Sequence, residues 1–345
     1  MKILKILLPA LCLLMAGVRS EACSRVVYLG DKGIVMVGRT LDWKTPIPTN
    51  IYVYPRGVEK TSMPSGPDLK WKSQYASILA VGYDGGVTEG MNDQGLVMNG
   101  LFCKGTIYKT ADGNDNTPVV SLAMLVSYFL DNFATVEQVD EWLKTSDFGI
   151  FGKTFDGGTV STLHWAITDV TGMTLIIEYQ DGKMYTYRGR DLQVMTNDPP
   201  HPQMEAINDY WKKVGGVNML PGTVRSSDRY VRASFFIHSV PTDFEYPQAF
   251  GSLASIMGTV SVPYGYEIEG EPNVSSTQWT SISDATGGRY YFRQATSTGF
   301  LYVDFGRLIT TEGAPVLKLD MSKHGDVTGC ANGYLEKSAG FTPMW

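Results

Sequence analysis

The sequence predicts an α+β fold in which antiparallel sheets are covered by helices. Many of its apolar runs are short and end at Gly, Pro, Asn or Asp, as β-strands commonly do. Helical spacing of apolar residues occurs in separate blocks between groups of such strands. Because strands and helices do not alternate one by one, the pattern favours antiparallel sheets with helices stacked outside over a parallel sheet.

The first predicted elements are strands. Residues 23–29 and 34–38 are apolar and β-branched, and the turn residues at 30–33 between them predict a hairpin. Such a hairpin would bring residues 39–42 back beside residue 23. Further strands are predicted at 51–54, 76–83 and 95–102.

Helices are predicted next. Residues 119–130 have apolar side chains at 122, 125, 126 and 129, which is helical spacing. Thr135 and Gln138 form a capping box for a second helix that ends at Leu143. The remaining predictions are strands at 162–168, 174–179, 184–188 and 192–195, helices at 204–213 and 229–238, and strands at 274–283, 289–294 and 299–305. The loops at 105–117 and 262–272 are candidates to flank a site.

The composition describes a mildly acidic globular protein. With 43% hydrophobic, 12% aromatic and 19% charged residues, the chain is too apolar to be disordered. A net charge of −6 excludes a broad basic surface for nucleic acid. Four cysteines in 345 residues are too few for a disulfide framework, and the four histidines show no metal-ligand spacing. The sequence therefore predicts neither a metal nor another cofactor.

Residues 1–22 have the pattern of a secretory signal peptide. Lys2 and Lys5 precede an apolar run at 6–16, which is shorter than the ~20 residues that span a bilayer. Ser20 and Ala22 are small residues at −3 and −1 of a cleavage site before Cys23. We expect export to the periplasm or the medium without stable membrane insertion, leaving a single domain of residues 23–345. Removal of three basic residues and one acidic residue changes the net charge from −6 to −8.

Two alternatives concern the fate of Cys23. A cysteine directly after a signal peptide can carry a lipid anchor in bacterial lipoproteins, although the acidic Glu21 before the cut fits that pattern badly. The segment could also remain as an uncleaved amphipathic start. Ordinary cleavage agrees best with the residues.

Cys23 at a predicted cleavage point is a candidate nucleophile. A free thiol with a pKa near ~8.5 is only a few per cent thiolate at neutral pH and needs a base. The α-amine of a first residue titrates near ~7.7–8.0 and can take the thiol proton, so no histidine is required. Arg39 would favour the thiolate by its charge, and Asp42 could accept a hydrogen bond from the amine. The alternative interpretations are a buried cysteine in a strand and an ordinary ion pair at a strand end.

The sequence resembles the choloylglycine hydrolase family, which comprises bile salt hydrolases and penicillin V acylases among the N-terminal nucleophile hydrolases. The resemblance extends from Cys23 to about Arg293 and rests on six motifs in order. The motifs after Cys23 are Gly-Arg-Thr-Leu-Asp-Trp at 38–43, Pro-Arg-Gly at 55–57, Gly-Met-Asn-Asp-Gln-Gly-Leu at 90–96, Thr-Leu-His-Trp at 162–165, Met-Thr-Asn-Asp-Pro at 195–199, and Leu-Pro-Gly at 220–222 with residues 226–233.

This resemblance implies a four-layer αββα fold with two stacked antiparallel sheets and helices outside. It also implies that Cys23 is the nucleophile, that its α-amine is the base, and that Arg39 and Asp42 support them. Asn197 would donate its side-chain amide to the oxyanion, and Arg229 would help to hold the charge network. Arg232 takes that place if the register is displaced by three residues.

Phe102 departs from the family pattern. Its backbone N–H would be the second oxyanion donor, at a position that holds Asn in many bile salt hydrolases and Tyr in many penicillin acylases. A backbone donor survives a change of side chain, so the departure puts only the substrate in doubt.

The expected reaction is hydrolysis of a linear, non-peptide amide with a bulky apolar acyl group. Conjugated bile salts releasing glycine or taurine are the first expectation, penicillin V the second and N-acyl homoserine lactones the third. A secreted non-catalytic protein, or a lipid-anchored binding protein, is the alternative of a different class. The family resemblance implies a homo-oligomer, a tetramer. His164 is interpreted as a core histidine, and Cys103 and Cys330 could pair or remain separate thiols.

Overall fold

The computed structural model describes residues 23–65, 67–109, 117–152, 154–155, 159–269 and 275–345. The predicted signal peptide and parts of the two predicted site-flanking loops lie outside these residues. No helix among the described residues is both long and apolar enough to cross a membrane.

The described chain contains strands throughout its length. In chain order they are β1 (Ser24–Leu29), β2 (Val35–Trp43), β3 (Thr49–Tyr54), β4 (Glu59–Thr61), β5 (Lys70–Lys72), β6 (Ser77–Gly82), β7 (Gly86–Asn92), β8 (Val97–Phe102), β9 (Val119–Ser121), β10 (Gly149–Phe151), β11 (Thr154–Phe155), β12 (Thr159–Val160), β13 (Leu163–Thr168), β14 (Thr174–Gln180), β15 (Lys183–Gly189), β16 (Val194–Met195), β17 (Ser276–Asp284), β18 (Arg289–Gln294), β19 (Leu301–Asp304), β20 (Leu317–Leu319), β21 (Gly329–Cys330) and β22 (Glu336–Lys337).

The helices of the described chain are a first pair, a later group of three and a short final helix. They are α1 (Leu122–Asn132), α2 (Val136–Thr145), α3 (His201–Val214), α4 (Ser226–Ile237), α5 (Tyr246–Val260) and α6 (Met321–His324).

Two large sheets form the centre of the molecule. The order in the first sheet is β16-β1-β2-β17-β18-β19-β21, and the order in the second is β15-β14-β13-β8-β7-β6-β3-β20-β22. Neighbours are antiparallel except for β19 and β21. The N-terminal hairpin of β1 and β2, predicted from sequence, lies inside the first sheet, with Ser24 opposite Thr40.

Three apolar cores lie between four layers. Along β1, Val26 and Tyr28 face α4 and α5, whereas Val27 faces the second sheet, because successive strand side chains point to opposite faces. On the outer face of the second sheet, side chains such as Leu125 and Phe129 of α1 form the third core. The predicted αββα layering is therefore confirmed.

Local residues explain where α1 and α2 begin. The capping box of Thr135 and Gln138 is present at the start of α2. The prediction that α1 starts at residue 119 is wrong, because the β-branched segment before it forms β9 and pairs with β10. Ser121 then caps α1 by accepting a hydrogen bond of 3.2 Å from the backbone of Ala123.

Sequence reasoning missed several elements, of which α5 and β7 are the longest. The buried face of α5 has helical spacing, so this helix could have been found; its buried residues are Ala249, Leu253, Ile256, Met257 and Val260. β7 contains Gly86, Gly90 and the buried Glu89, which interrupt the apolar pattern of a strand. β2 also continues past the apolar run at 34–38 through Arg39 and Asp42 to Trp43, and Arg39 is paired with Glu89 inside the protein.

The motif at 90–96 holds the turn between β7 and β8. The Asn92 side chain donates to the carbonyls of Leu130 and Phe133 at the end of α1, at 2.9 and 2.7 Å. Gly95 has φ +78°, and a Cβ atom there would lie 2.3 Å from the carbonyl oxygen of Ala285. This motif therefore fixes the turn that leads into β8 of the second sheet and takes no direct part in the site.

Candidate active site

Cys23 lies directly before β1, and only 4% of its surface is exposed. Its Sγ atom is 3.9 Å from Nη2 of Arg39 and 3.8 Å from the carbonyl oxygen of Asp42. Burial raises the pKa of the Cys23 thiol, and the positive charge of Arg39 opposes that rise. Because burial is the larger effect, the thiol needs a base beside it to become a nucleophile.

Asp42 projects towards the helix side of the first sheet. Burial raises the pKa of its carboxyl group to about 6, against the opposing charge of Arg229. Its Oδ2 accepts from the hydroxyl of Thr40 at 3.3 Å. The side chain of Thr277 also hydrogen-bonds this carboxylate and opposes the rise of its pKa.

Asn197 contacts Cys23 directly. Its Oδ1 accepts from the Cys23 nitrogen at 2.6 Å and from Nη2 of Arg229 at 2.8 Å. Its Nδ2 donates one hydrogen to the carbonyl of Phe102 at 2.8 Å. An amide nitrogen has two hydrogens, so the second remains for an oxyanion.

Arg229 joins α4 to the start of β1. Its Nη1 donates to the carbonyl of Cys23 and to the hydroxyl of Ser24, each at 2.6 Å, and the side chain is fully buried. Arg232 instead donates to backbone carbonyls of the loop before α4 and of the end of α5. The structure therefore brings Arg229 to Cys23 and leaves Arg232 in a structural position.

The N–H group of Phe102 faces away from β13. The backbone N–H of Cys103 donates to the carbonyl of Thr162 at 3.0 Å, which makes these two residues a hydrogen-bonded antiparallel pair. The preceding pair, Phe102 with Leu163, is then of the other type, whose N–H and C=O groups point outwards. On its other side, β8 pairs with β7 only as far as Asn99. The backbone of residues 100–102 is therefore open towards the site.

Two side chains use this open edge of β8. Arg39 donates to the carbonyl of Gly100 at 3.1 Å, and Asn197 donates to that of Phe102. The phenyl ring of Phe102 also packs against Trp43, with ring centroids 6.0 Å apart. Both aromatic side chains are half-buried, and Trp43 directly follows Asp42, whose carbonyl contacts the thiol.

Sequence reasoning missed the residues that hold Arg39. Its Nη1 lies 3.4 Å from the carboxylate of Glu89, and its guanidinium lies 4.5 Å from the ring centroid of Trp279. Glu89 also accepts from Tyr290 at 2.6 Å and from Asn99 at 3.1 Å. An acidic residue within a short strand was the only local signal of this network.

The other two cysteines among the described residues are free thiols. Cys103 is buried, and burial raises the pKa of its thiol to about 11; Cys330 is partly exposed. The two therefore do not pair. Among the described residues, no group of three or more His, Cys, Asp or Glu side chains is arranged to hold a metal ion.

This arrangement of a buried cysteine at the start of a strand, inside a layered αββα fold, defines an N-terminal nucleophile hydrolase fold. The model of linear amide C–N hydrolases, choloylglycine hydrolase family, matches residues 23–307. The chain belongs to this family, and it is an enzyme that hydrolyses linear amide C–N bonds.

The curated relatives include both branches of the family. A penicillin V acylase of Pectobacterium atrosepticum is 32% identical over 357 residues, covering 97% of this chain and 95% of that protein. A bile salt hydrolase/transferase of Bifidobacterium longum is 25% identical over 300 residues, covering 78% and 90%.

The solved structures show the same two branches. Penicillin V acylase from Agrobacterium tumefaciens superimposes with a TM-score of 0.86 and 38% identity, covering 93% of this chain and 99% of that one. A conjugated bile acid hydrolase from Clostridium perfringens has a TM-score of 0.72 at 20% identity, covering 94% and 99%, and shares the fold.

Proposed function

We propose that this protein is an exported amidohydrolase that prefers amides with a small aromatic acyl group, as in penicillin V. The observation that carries this preference is the contact of Trp43 with Phe102, since Trp43 follows Asp42, whose carbonyl contacts the thiol, and Phe102 accepts from Asn197. Two half-buried rings at this place would contact the acyl group of a substrate whose carbonyl is at Cys23, and aromatic pairs favour flat, apolar partners. The higher identity to the two penicillin V acylases than to the bile salt hydrolases also supports it.

The proposed nucleophile becomes active after cleavage between Ala22 and Cys23. Cleavage turns the Cys23 nitrogen, now 2.6 Å from Oδ1 of Asn197, into a free α-amine. The amine takes the thiol proton, and the sulfur attacks the amide carbonyl to form a tetrahedral intermediate. On collapse the C–N bond breaks, the amine returns the proton to the leaving nitrogen, and a thioester remains. Water activated by the amine then hydrolyses the thioester and restores the thiol.

The second hydrogen of the Asn197 amide and the N–H of Phe102 are the proposed oxyanion donors. The N–H of Phe102 lies at the open edge of β8, and the Asn197 amide is held at the same edge by its hydrogen bond to the Phe102 carbonyl. Donors fixed before the reaction stabilise developing charge without reorganisation, which is the reason such groups are effective. The negative charge of the buried Asp42 would favour the protonated amine during attack.

Conjugated bile salts are the second candidate, because relatives named for that activity match most of the chain. The decisive experiment compares kcat/KM of the mature protein for penicillin V, glycine- and taurine-conjugated bile salts and N-acyl homoserine lactones. We expect penicillin V to be favoured by about 10-fold or more. A higher value for a conjugated bile salt would overturn the aromatic preference and leave the hydrolase mechanism intact.

The export and cleavage steps have their own test. Intact mass and N-terminal sequencing of protein from the native host should show Cys23 first, with a free amine. A lipid-modified Cys23, or a chain that begins elsewhere, would contradict the proposed base, since an acylated or internal nitrogen cannot accept the thiol proton.

A further inference from the structure

We propose that His164, held between Glu178 and the carbonyl of Thr196, is a positioning residue for the oxyanion donor Asn197. The inference rests on the proposed function, which assigns that role to Asn197. His164 does not touch the thiol or the proposed acyl site; it acts on the peptide that precedes Asn197.

The contacts of His164 fix the orientation of its ring. Nε2 lies 2.7 Å from the carbonyl oxygen of Thr196, which can only accept, so Nε2 carries a hydrogen. Nδ1 lies 3.1 Å from Oε1 of Glu178. Both oxygens of Glu178 accept from the N–H of His201 at 3.1 Å, at the first turn of the 14-residue helix α3. Helix α3 therefore holds Glu178, and Glu178 fixes the plane of the His164 ring from the side opposite Thr196.

The peptide before Asn197 is held from two sides. His164 binds the carbonyl of Thr196, and the Thr196 hydroxyl donates to the carbonyl of Ser226 at 3.1 Å. Ser226 begins α4, the helix that carries Arg229 to Oδ1 of Asn197. His164 and Glu178 are 1% and 3% exposed, so no water competes for these bonds. Losing the His164 contact would release the peptide on the side of the second sheet, and a misplacement of about 1 Å can cost about 100-fold in rate.

Two matched variants separate positioning from core filling. His164→Gln keeps a donor near the place of Nε2, whereas His164→Asn keeps one near Nδ1 and loses the bond to Thr196. We expect His164→Asn to lower kcat by about 10- to 100-fold with KM nearly unchanged, and His164→Gln to retain most of kcat. Equal losses in both variants, or a change confined to KM, would show that His164 only fills the core.

A double-mutant cycle with Asn197→Ala gives a second readout. If His164 acts through Asn197, His164→Asn should have little further effect on kcat in the Asn197→Ala background. Full additivity of the two losses would overturn the proposal.

A spectroscopic measurement tests the inference even if no substrate is hydrolysed. That outcome would contradict the proposed function but not the positioning role of His164. The chain has four histidines, so ¹⁵N labelling of histidine resolves each ring. We expect Nε2 of His164 to carry a hydrogen, and the side-chain amide signals of Asn197 to shift in His164→Asn but not in His164→Gln. A His164 ring without a hydrogen on Nε2, or an unmoved Asn197 amide, would contradict the proposal.

Discussion

Arg229 donates a hydrogen bond of 2.8 Å to the side-chain oxygen of Asn197. A guanidinium has no acceptor, so this contact determines which end of the Asn197 amide is oxygen and which is nitrogen. The amide nitrogen must then face the open edge of β8, where it binds the carbonyl of Phe102. The orientation needed for an oxyanion donor is therefore imposed by an arginine from α4.

The first prediction concerns the nucleophile. Cys23→Ala should abolish amide hydrolysis while the protein remains folded, because Ala is also apolar and the hydrogen bonds of the thiol to described residues are two long ones, of 3.8 and 3.9 Å. Hydrolysis assays and thermal unfolding of the purified variant test this together. Residual hydrolysis at the wild-type rate would refute Cys23 as nucleophile, and Cys23→Ser is the control that keeps a weaker nucleophile at the same place.

The second prediction concerns Asn197. Asn197→Ala should lower kcat by about 10²- to 10³-fold, the typical cost of one oxyanion donor. Asn197→Asp keeps the oxygen that accepts from Cys23 and Arg229 but loses the donor, so it should be equally slow. An Asp variant with near wild-type kcat would show that the amide hydrogen is not used.

The third prediction concerns the pKa of the Cys23 thiol. Arg39 lowers this pKa against the effect of burial, so Arg39→Met should raise it further. Iodoacetamide alkylation of the Cys23 peptide, followed by mass spectrometry against pH, should then have a midpoint at higher pH than in the wild type.

Arg39→Lys is the matched control for this measurement, because it keeps a positive charge near the sulfur. Its midpoint should lie close to that of the wild type. If Arg39→Met left the midpoint unchanged or moved it to lower pH, the electrostatic role of Arg39 would be wrong.

The fourth prediction concerns substrate choice. Phe102→Asn removes the ring that packs against Trp43 but keeps the backbone N–H at the site. The ratio of kcat/KM for penicillin V to that for conjugated bile salts should fall by about 10-fold or more, since a lost apolar contact costs about 1–3 kcal/mol.

Leu163 provides the control for that substitution, because it lies opposite Phe102 on β13. Leu163→Val changes the packing of the same strand pair without removing an aromatic ring, so the ratio should remain nearly constant. A parallel change in both variants would mean that strand packing, rather than the aromatic pair, determines the preference.

Local patterns predicted most of the fold. The N-terminal hairpin, the capping box of α2 and the strands from β13 to β15 depend on neighbouring residues, and they occur where the sequence indicates them. The start of α1 and the course of β7 could not be predicted in this way. β9 is a strand because it pairs with β10, and β7 tolerates Glu89 because Arg39 and Tyr290 lie across from it.

The site residues also differ in whether neighbouring residues in the chain or distant ones determine their places. The sequence by itself determined the candidate nucleophile, because a predicted cleavage point and the cysteine after it are adjacent in the chain. The same is true of the hairpin that returns Arg39 and Asp42 to its side, since a short turn connects the two strands. The motifs of the family resemblance likewise pointed to Asn197 as an oxyanion donor. Its contacts with Cys23, Arg229 and Phe102 were not predicted.

Only the tertiary structure decided which arginine reaches Cys23 and which rings lie beside it. Arg229 is 206 positions from Cys23, and Arg232, three residues later, faces a loop on another side of α4. The pair of Trp43 and Phe102, the Glu89 network and the contact of His164 with Thr196 likewise join strands that are distant in the chain. Such contacts depend on how the sheets stack and where β8 leaves β7, and sequence spacing carries no information about either.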